Sequence, residues 1–331
     1  MDLKRLRGIL FCTLFILTSL LGSIFILFPF LPSAFIAPVL WRFCADRFVA
    51  FWLILPSASF YTSMCDYIFG IKFHVTGDLI ENHRSSLVIM NHRTRLDWLF
   101  FWNALYKMNP WLLITHKISL KAILKQIPGA GWAMSCASYI FLERKFDQDK
   151  QTINRLVEYY KATGYNYQIL FFPEGTDRGA QAVKVSNYFA EKNNLPKYGY
   201  VLHPRTSGFS HFLQLMRSKN YIDYVYDVTI GYPYKIIESE VDLLKTGDFP
   251  RAVHVDIKKY DIHTLPTDDE DVASWLSNVW KQKEDKLQYF YSKPAEKRFF
   301  EPSGERIIWP VCFFFFFLKL FLLNSHVIEN S

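Results

Sequence analysis

The octapeptide Asn91-His92-Arg93-Thr94-Arg95-Leu96-Asp97-Trp98 sets an imidazole five positions before a carboxylate, between apolar runs at residues 85–90 and 98–106. A strand, a polar turn and a helix in that order would put His92 at a strand end and Asp97 near a helix start. From there the carboxylate can turn back and hold one imidazole tautomer. This is two thirds of a charge relay. A bound alcohol can supply the attacking oxygen in place of a serine, with His92 taking its proton, so the chemistry implied is acyl transfer to a hydroxyl. The spacing alone has a plain structural alternative, a capping Asp beside a turn His, and a chain with 9 histidines offers many chance pairs.

A second segment decides. Ile169-Leu170-Phe171-Phe172-Pro173-Glu174-Gly175-Thr176-Asp177-Arg178 runs from an apolar strand into a Pro-Glu-Gly-Thr turn and a basic residue. There backbone N–H groups, a hydroxyl and a guanidinium can converge on an anion. With the first motif, the chain resembles the glycerolipid (1-acylglycerol-phosphate) acyltransferase family, whose four ordered blocks can all be located. Asn91-His92 to Asp97 is similar to the catalytic block. Gly131-Trp132 through Glu143-Arg144 is similar to the second, whose terminal arginine contacts the acceptor's phosphate. Phe172 to Thr176 is similar to the third, and Tyr200-Val201-Leu202-His203-Pro204 to the fourth. The stretches Leu202 to Phe209 and Asp227 to Pro233 resemble the lysocardiolipin acyltransferase branch, whose members re-acylate anionic lysophospholipids, some of them lysophosphatidylinositol. His203 and Arg205 depart from the small apolar residues of more distant members.

The resemblance implies a membrane-bound enzyme that moves a fatty acyl group from acyl-CoA to a free hydroxyl of an anionic lysophospholipid, lysophosphatidylinositol or lysocardiolipin. His92 would act as general base and Asp97 would orient it. Arg144, Arg178, Arg205 and Lys117 would pair with phosphate, while Glu174, Gly175 and Thr176 shape the acceptor or coenzyme pocket. The thioester oxyanion would be met by backbone N–H groups near the turn. A thioester is already activated, so no cofactor is expected beyond acyl-CoA as co-substrate. The alternatives are a 1-acylglycerol-3-phosphate acyltransferase that makes phosphatidic acid and, in another class, a catalytically silent lipid-binding scaffold. Intact His92, Asp97 and Glu174 argue against the scaffold. The absence of a Gly-x-Ser-x-Gly elbow argues against a lipase.

Composition agrees with attachment to a bilayer. Half the residues are hydrophobic, 18% aromatic and 21% charged, which is too greasy for an ordinary soluble domain and too charged for a bundle of spans. Residues 8–28 form an uncharged run of 21 behind Lys4, Arg5 and Arg7, against about 20 needed to cross a bilayer. A second run, residues 48–64, contains Pro56 and fits a short span, a re-entrant arm or an interfacial helix; a third, residues 307–323, carries Pro310 and Lys319 and reads as a monotopic anchor or a marginal span. The net charge of +7 suits a surface that meets anionic lipid and coenzyme A. No zinc-finger spacing or basic recognition helix supports nucleic acid as a partner. The five cysteines are scattered, without a Cys-x-x-Cys pair, so free thiols are expected and no metal. The expected location is the endoplasmic reticulum membrane, with the catalytic domain on the cytosolic side.

The elements that must position these groups alternate. Residues 85–90, 111–115, 138–142, 168–172, 225–232 and 253–259 read as strands. Helices are predicted over 149–163, with Ile153, Leu156, Val157 and Tyr160 on one face, and over 269–291, with Val272, Trp275, Leu276 and Val279. Lys117, Lys121 and Lys125 recur every four residues and would share a helix face. The fold class is thus α/β: a single acyltransferase domain (73–291) with a mostly buried sheet flanked by helices, preceded by membrane-anchoring segments (1–72) and followed by a membrane-associated tail (292–331).

Overall fold

Seven short apolar segments pair into one sheet in the computed structural model, which describes residues 3–36 and 45–301. The strands are β1 (Lys72–Gly77), β2 (Ser86–Met90), β3 (His116–Lys121), β4 (Ile140–Leu142), β5 (Gln168–Phe171), β6 (Tyr224–Gly231) and β7 (Ala252–Asp261), in the spatial order β1-β7-β6-β2-β5-β3-β4. Pairing is parallel throughout except between β6 and β7. Parallel sheets need cover on both faces, and side chains that alternate along each strand supply two cores. Val88, Met90, Leu170 and Val228 pack with the helix Asp97–Met108 and the N-terminal helices. Leu87, Ile89, Ile169 and Val225 face the helices Phe146–Thr163, Thr206–Ser218 and Asp269–Ser292.

Two of the expectations change. Residues 111–115 are not a strand: Leu112–Thr115 makes one helical turn and the strand follows at His116–Lys121. Lys117 and Lys121 therefore lie on β3 and only Lys125 in the 3₁₀ turn Ala122–Gln126, so the three share no helix face. The edge strand β1 was not foreseen. The helices over 149–163 and 269–291 are present, each slightly longer than expected.

The N-terminal apolar run is helical over Leu3–Leu27, and a second helix covers Ala45–Ile68; both are long and apolar enough to cross a membrane. The first touches the domain at both ends. A Cβ at Gly8 would fall 2.1 Å from the Leu243 carbonyl oxygen, so only glycine permits that approach to the helix Glu240–Thr246. At the other end Ser23 Oγ donates to Gly129 O at 2.8 Å. The second helix is half buried against the domain, and Phe11, Leu27, Val49, Leu53 and Tyr61 belong to the same core as Val88 and Leu99. The C-terminal run 307–323 lies outside the described residues, as do Cys44 and Cys312; Cys12, Cys65 and Cys136 are free thiols.

Candidate active site

In open parallel sheets, ligands gather where the strands deliver their carboxyl ends. β2 ends two residues before His92, β3 at Lys121, β4 two residues before Arg144, β5 shortly before Glu174 and Gly175, and β6 one residue before Tyr232. Asn91 locks the first of these ends. Its amide donates to Ile230 O at 3.1 Å and accepts from Ile230 N at 2.9 Å, which ties the end of β2 to β6.

Asp97 opens the helix Asp97–Met108 and is completely buried. Its Oδ2 accepts from His92 Nδ1 at 3.0 Å and from Thr94 N at 2.9 Å; its Oδ1 accepts from the Tyr232 hydroxyl at 2.5 Å. A carboxylate only accepts, so the proton of the first contact sits on Nδ1 and Nε2 is the basic nitrogen. The ring stacks on Phe172 with centroids 4.1 Å apart, which fixes its plane. Asp97 is the first residue of the helix and not its cap, a position held by Leu96; its carboxylate satisfies no helix N–H and is turned back on the imidazole instead.

Glu174 stands behind His92. It is buried, and its Oε1 accepts from His92 N at 3.3 Å and from Trp280 Nε1 at 3.3 Å. Oε2 has no partner among the described residues. Burial pushes this carboxyl up to about 7, opposed by His92 and by the hydrogen bonds it accepts. Gly175 adopts φ +74° and turns the chain so that the Arg205 side chain can lie against it, with a Cβ there meeting Arg205 Nε at 3.2 Å. Thr176 donates to Asp177 Oδ1 at 3.4 Å. Arg178 donates its backbone N–H to His92 O at 2.9 Å and its guanidinium to Gly199 O.

His92 borders a cavity of about 880 Å³. Its depth is apolar, with Phe11, Phe15 and Ile16 of the first helix facing Leu99, Trp102 and Met134. Its other wall carries Arg95, Lys121, Arg144 and Arg205 with the carboxylates of Asp177 and Asp149. Arg144 sits in left-handed backbone at φ +62° and donates to Gly175 O. Its acidity is strengthened by burial and then by the like charge of Arg205, with Asp177 opposing. Such a chamber can take an acyl chain at its greasy end and an anionic group at its cationic end.

Of the residues foreseen, His92, Gly175, Arg144 and Arg205 meet at this cavity. Glu174, Thr176 and Arg178 lie behind its wall and shape the turn that carries His92. Lys117 is elsewhere: wholly buried, its ammonium reaches Asp46 Oδ1 at 2.6 Å and Ala137 O at 2.7 Å, so it is spent on structure and is a correction to the expected phosphate contact. Arg95, Lys121, Tyr232 and Trp280 were missed. Arg95 lies inside the first block and Lys121 one turn of the lysine spacing from Lys117; Tyr232 and Trp280 left no local signal.

Comparison with known proteins places this geometry. A family model described as Acyltransferase matches residues 72–232, and one described as Acyltransferase C-terminus matches residues 243–317. The chain is 43% identical to Lysophosphatidylinositol acyltransferase 10 of Caenorhabditis elegans, over 81% of this chain and 68% of that one. It is 43% identical to Lysocardiolipin acyltransferase 1 of Gallus gallus, over 92% and 78% respectively. The fold is similar to the crystal structure of the 1-acyl-sn-glycerophosphate acyltransferase PlsC from Thermotoga maritima, at TM-score 0.55 and 18% identity, covering 88% of this chain and 97% of that one. A buried carboxylate on an imidazole, a mainly apolar cavity with basic residues along one wall, and relatives of this identity give one answer: the protein is a membrane enzyme of the acyltransferase family, acting on phospholipid.

Proposed function

We propose that the protein transfers a fatty acyl group from acyl-CoA to the free hydroxyl of an anionic lysophospholipid, lysophosphatidylinositol or lysocardiolipin, by general-base catalysis. The observation that carries this is the Asp97–His92 contact at the border between the apolar depth and the cationic wall of one cavity. Nδ1 is engaged by Asp97, so Nε2 removes the proton of the acceptor hydroxyl as its oxygen attacks the thioester carbonyl. The carbon–sulfur bond then breaks, and the thiolate of coenzyme A leaves and is protonated. The lysophospholipid phosphate pairs with Arg144 and Arg205, with Arg95 and Lys121 alongside. The names of the relatives at 43% identity support this acceptor class.

The domain lies on the cytosolic face of the endoplasmic reticulum, where acyl-CoA is available. Lys4, Arg5 and Arg7 ahead of the first helix support that side, and the contacts of that helix with the domain at both its ends support attachment within one leaflet. Purified protein with labelled acyl-CoA and a panel of lysophospholipids, read by mass spectrometry, tests the reaction. Transfer to lysophosphatidic acid alone would move the protein to the phosphatidic acid branch, and no transfer to any acceptor would leave only the scaffold.

A further inference from the structure

Asp97 Oδ2 accepts from His92 Nδ1 and Thr94 N, and Oδ1 accepts from Thr94 Oγ1 at 3.4 Å, but the shorter bond to Oδ1 comes from far away in the chain. Tyr232, 135 residues on and fully buried just past β6, donates its hydroxyl to Asp97 Oδ1 at 2.5 Å. Tyr232 is fully buried and does not line the cavity that His92 borders, so it reaches the reaction only through Asp97. Its own backbone is pinned: Tyr232 N donates to Tyr291 Oη at 3.1 Å, and Tyr291 stacks on Tyr200 with centroids 5.1 Å apart. Arg298 lies 5.3 Å over the Tyr291 ring and donates to Pro233 O at 2.5 Å. The helix Asp269–Ser292 and the segment after it therefore fix the phenol in place.

We propose that Tyr232 is a positioning residue for acyl transfer: its hydroxyl holds the outer oxygen of Asp97, aims the inner one at His92 Nδ1 and draws off part of the carboxylate charge. This rests on the reading of His92 and Asp97 as the reacting pair. Removing the phenol leaves more of the carboxylate charge on the oxygen that meets His92, so the variant favours a protonated ring more than the wild type does. Besides Tyr232 and Asp97, the titratable and charged groups near the imidazole are Glu174 behind it and, lining the cavity it borders, Arg95, Lys121, Arg144, Asp177, Arg205 and Glu240, which none of the compared variants alters.

The test compares wild type, Tyr232→Phe, Tyr291→Phe, Asp97→Asn and His92→Ala, purified in detergent and assayed with acyl-CoA and lysophosphatidylinositol from pH 5.5 to 9. Tyr232→Phe keeps the ring and loses one charge-assisted hydrogen bond, so kcat should fall about tenfold with both KM values within about twofold. The acid limb of kcat/KM should move up by about half a pH unit. In the Asp97→Asn background the same change should cost less than about twofold, because the two act as one unit. Tyr291→Phe should lower kcat about threefold in the same direction. The pH dependence of His92 modification by diethylpyrocarbonate, followed by peptide mass spectrometry, reads the same shift without turnover and serves if Tyr232→Phe is poorly folded. An unmoved acid limb, or an unmoved modification midpoint, with inactive His92→Ala overturns the role of Tyr232 and leaves the reaction intact. A fully active His92→Ala overturns the underlying reading instead.

Discussion

Lys117 Nζ and Asp46 Oδ1 stand 2.6 Å apart, each about 1% exposed, and join strand β3 to the start of the helix Ala45–Ile68. The Tyr167 hydroxyl donates to the other Asp46 oxygen at 2.6 Å, so both charges are fully engaged. Burial makes the ammonium easier to deprotonate, with Asp46 opposing. Removing one partner strands the other charge in the interior, so Lys117→Met should destabilise by about 3–5 kcal/mol, and Lys117→Met with Asp46→Leu should recover most of it. Thermal unfolding in detergent measures this. The KM for acceptor should stay unchanged in the double variant, because the ammonium does not reach the cavity.

Glu174 predicts a pH dependence of stability. Burial pushes its folded carboxyl up to about 7, from the ordinary 4.5 that it keeps in the unfolded chain. Between those values the native state holds the extra proton, so the contribution is full below 4.5 and is lost as pH rises through 7. The total is of the order of 3 kcal/mol. Glu174→Gln should flatten that slope and gain stability at pH 8 while its carbonyl still accepts from His92 N; Glu174→Ala should lose at least about tenfold in kcat because the turn under His92 loses its anchor. Melting temperatures across pH 4.5–8.5 for the three proteins give the comparison.

The reacting pair should be non-additive. His92→Ala and Asp97→Ala should each lower kcat by about a thousandfold or more, with membrane expression retained, and the double variant should be little worse than His92→Ala. Steady-state rates for four proteins complete the cycle.

Acceptor choice should follow charge. A zwitterionic head group offers Arg144 and Arg205, both exposed on the cavity wall, no net anion, so charge complementarity favours an anionic one. Lysophosphatidylinositol or lysocardiolipin should therefore outcompete lysophosphatidylcholine at matched surface concentration. Arg144→Ala should raise the acceptor KM more than that for acyl-CoA. Equal turnover of lysophosphatidylcholine and lysophosphatidylinositol would remove the cationic wall from the account of specificity.

Orientation is open to protease. In sealed microsomes the catalytic domain should be cut by added protease without detergent, as a cytosolic face requires. Complete protection would place it in the lumen.

Much of this arrangement was legible because it is local. The five-residue spacing of His92 and Asp97 and the turn after β5 are read directly from adjacent residues, and the six foreseen strands include five that form. β3 was misplaced because its pattern contradicts a buried strand: His116 and Lys117 are both wholly inside, and Lys117 is tolerated only through Asp46, 71 residues earlier. The same distance problem hid Tyr232 and Trp280. Nothing near Tyr232 announces a partner 135 residues away, and Trp280 sits in a helix whose apolar spacing reads as ordinary core until its indole reaches Glu174, 106 residues back.

Phe11, Phe15 and Ile16 of the first helix, otherwise a lipid-facing anchor, also wall the cavity beside His92. Trimming that helix to obtain a water-soluble enzyme would open the chamber, so detergent rather than truncation is the route to active material. It also sets the kinetic variable. If that helix lies in the bilayer, a lipid acceptor would enter sideways from its own leaflet, and turnover should follow the acceptor's mole fraction: diluting it with inert lipid should slow the enzyme at constant bulk concentration.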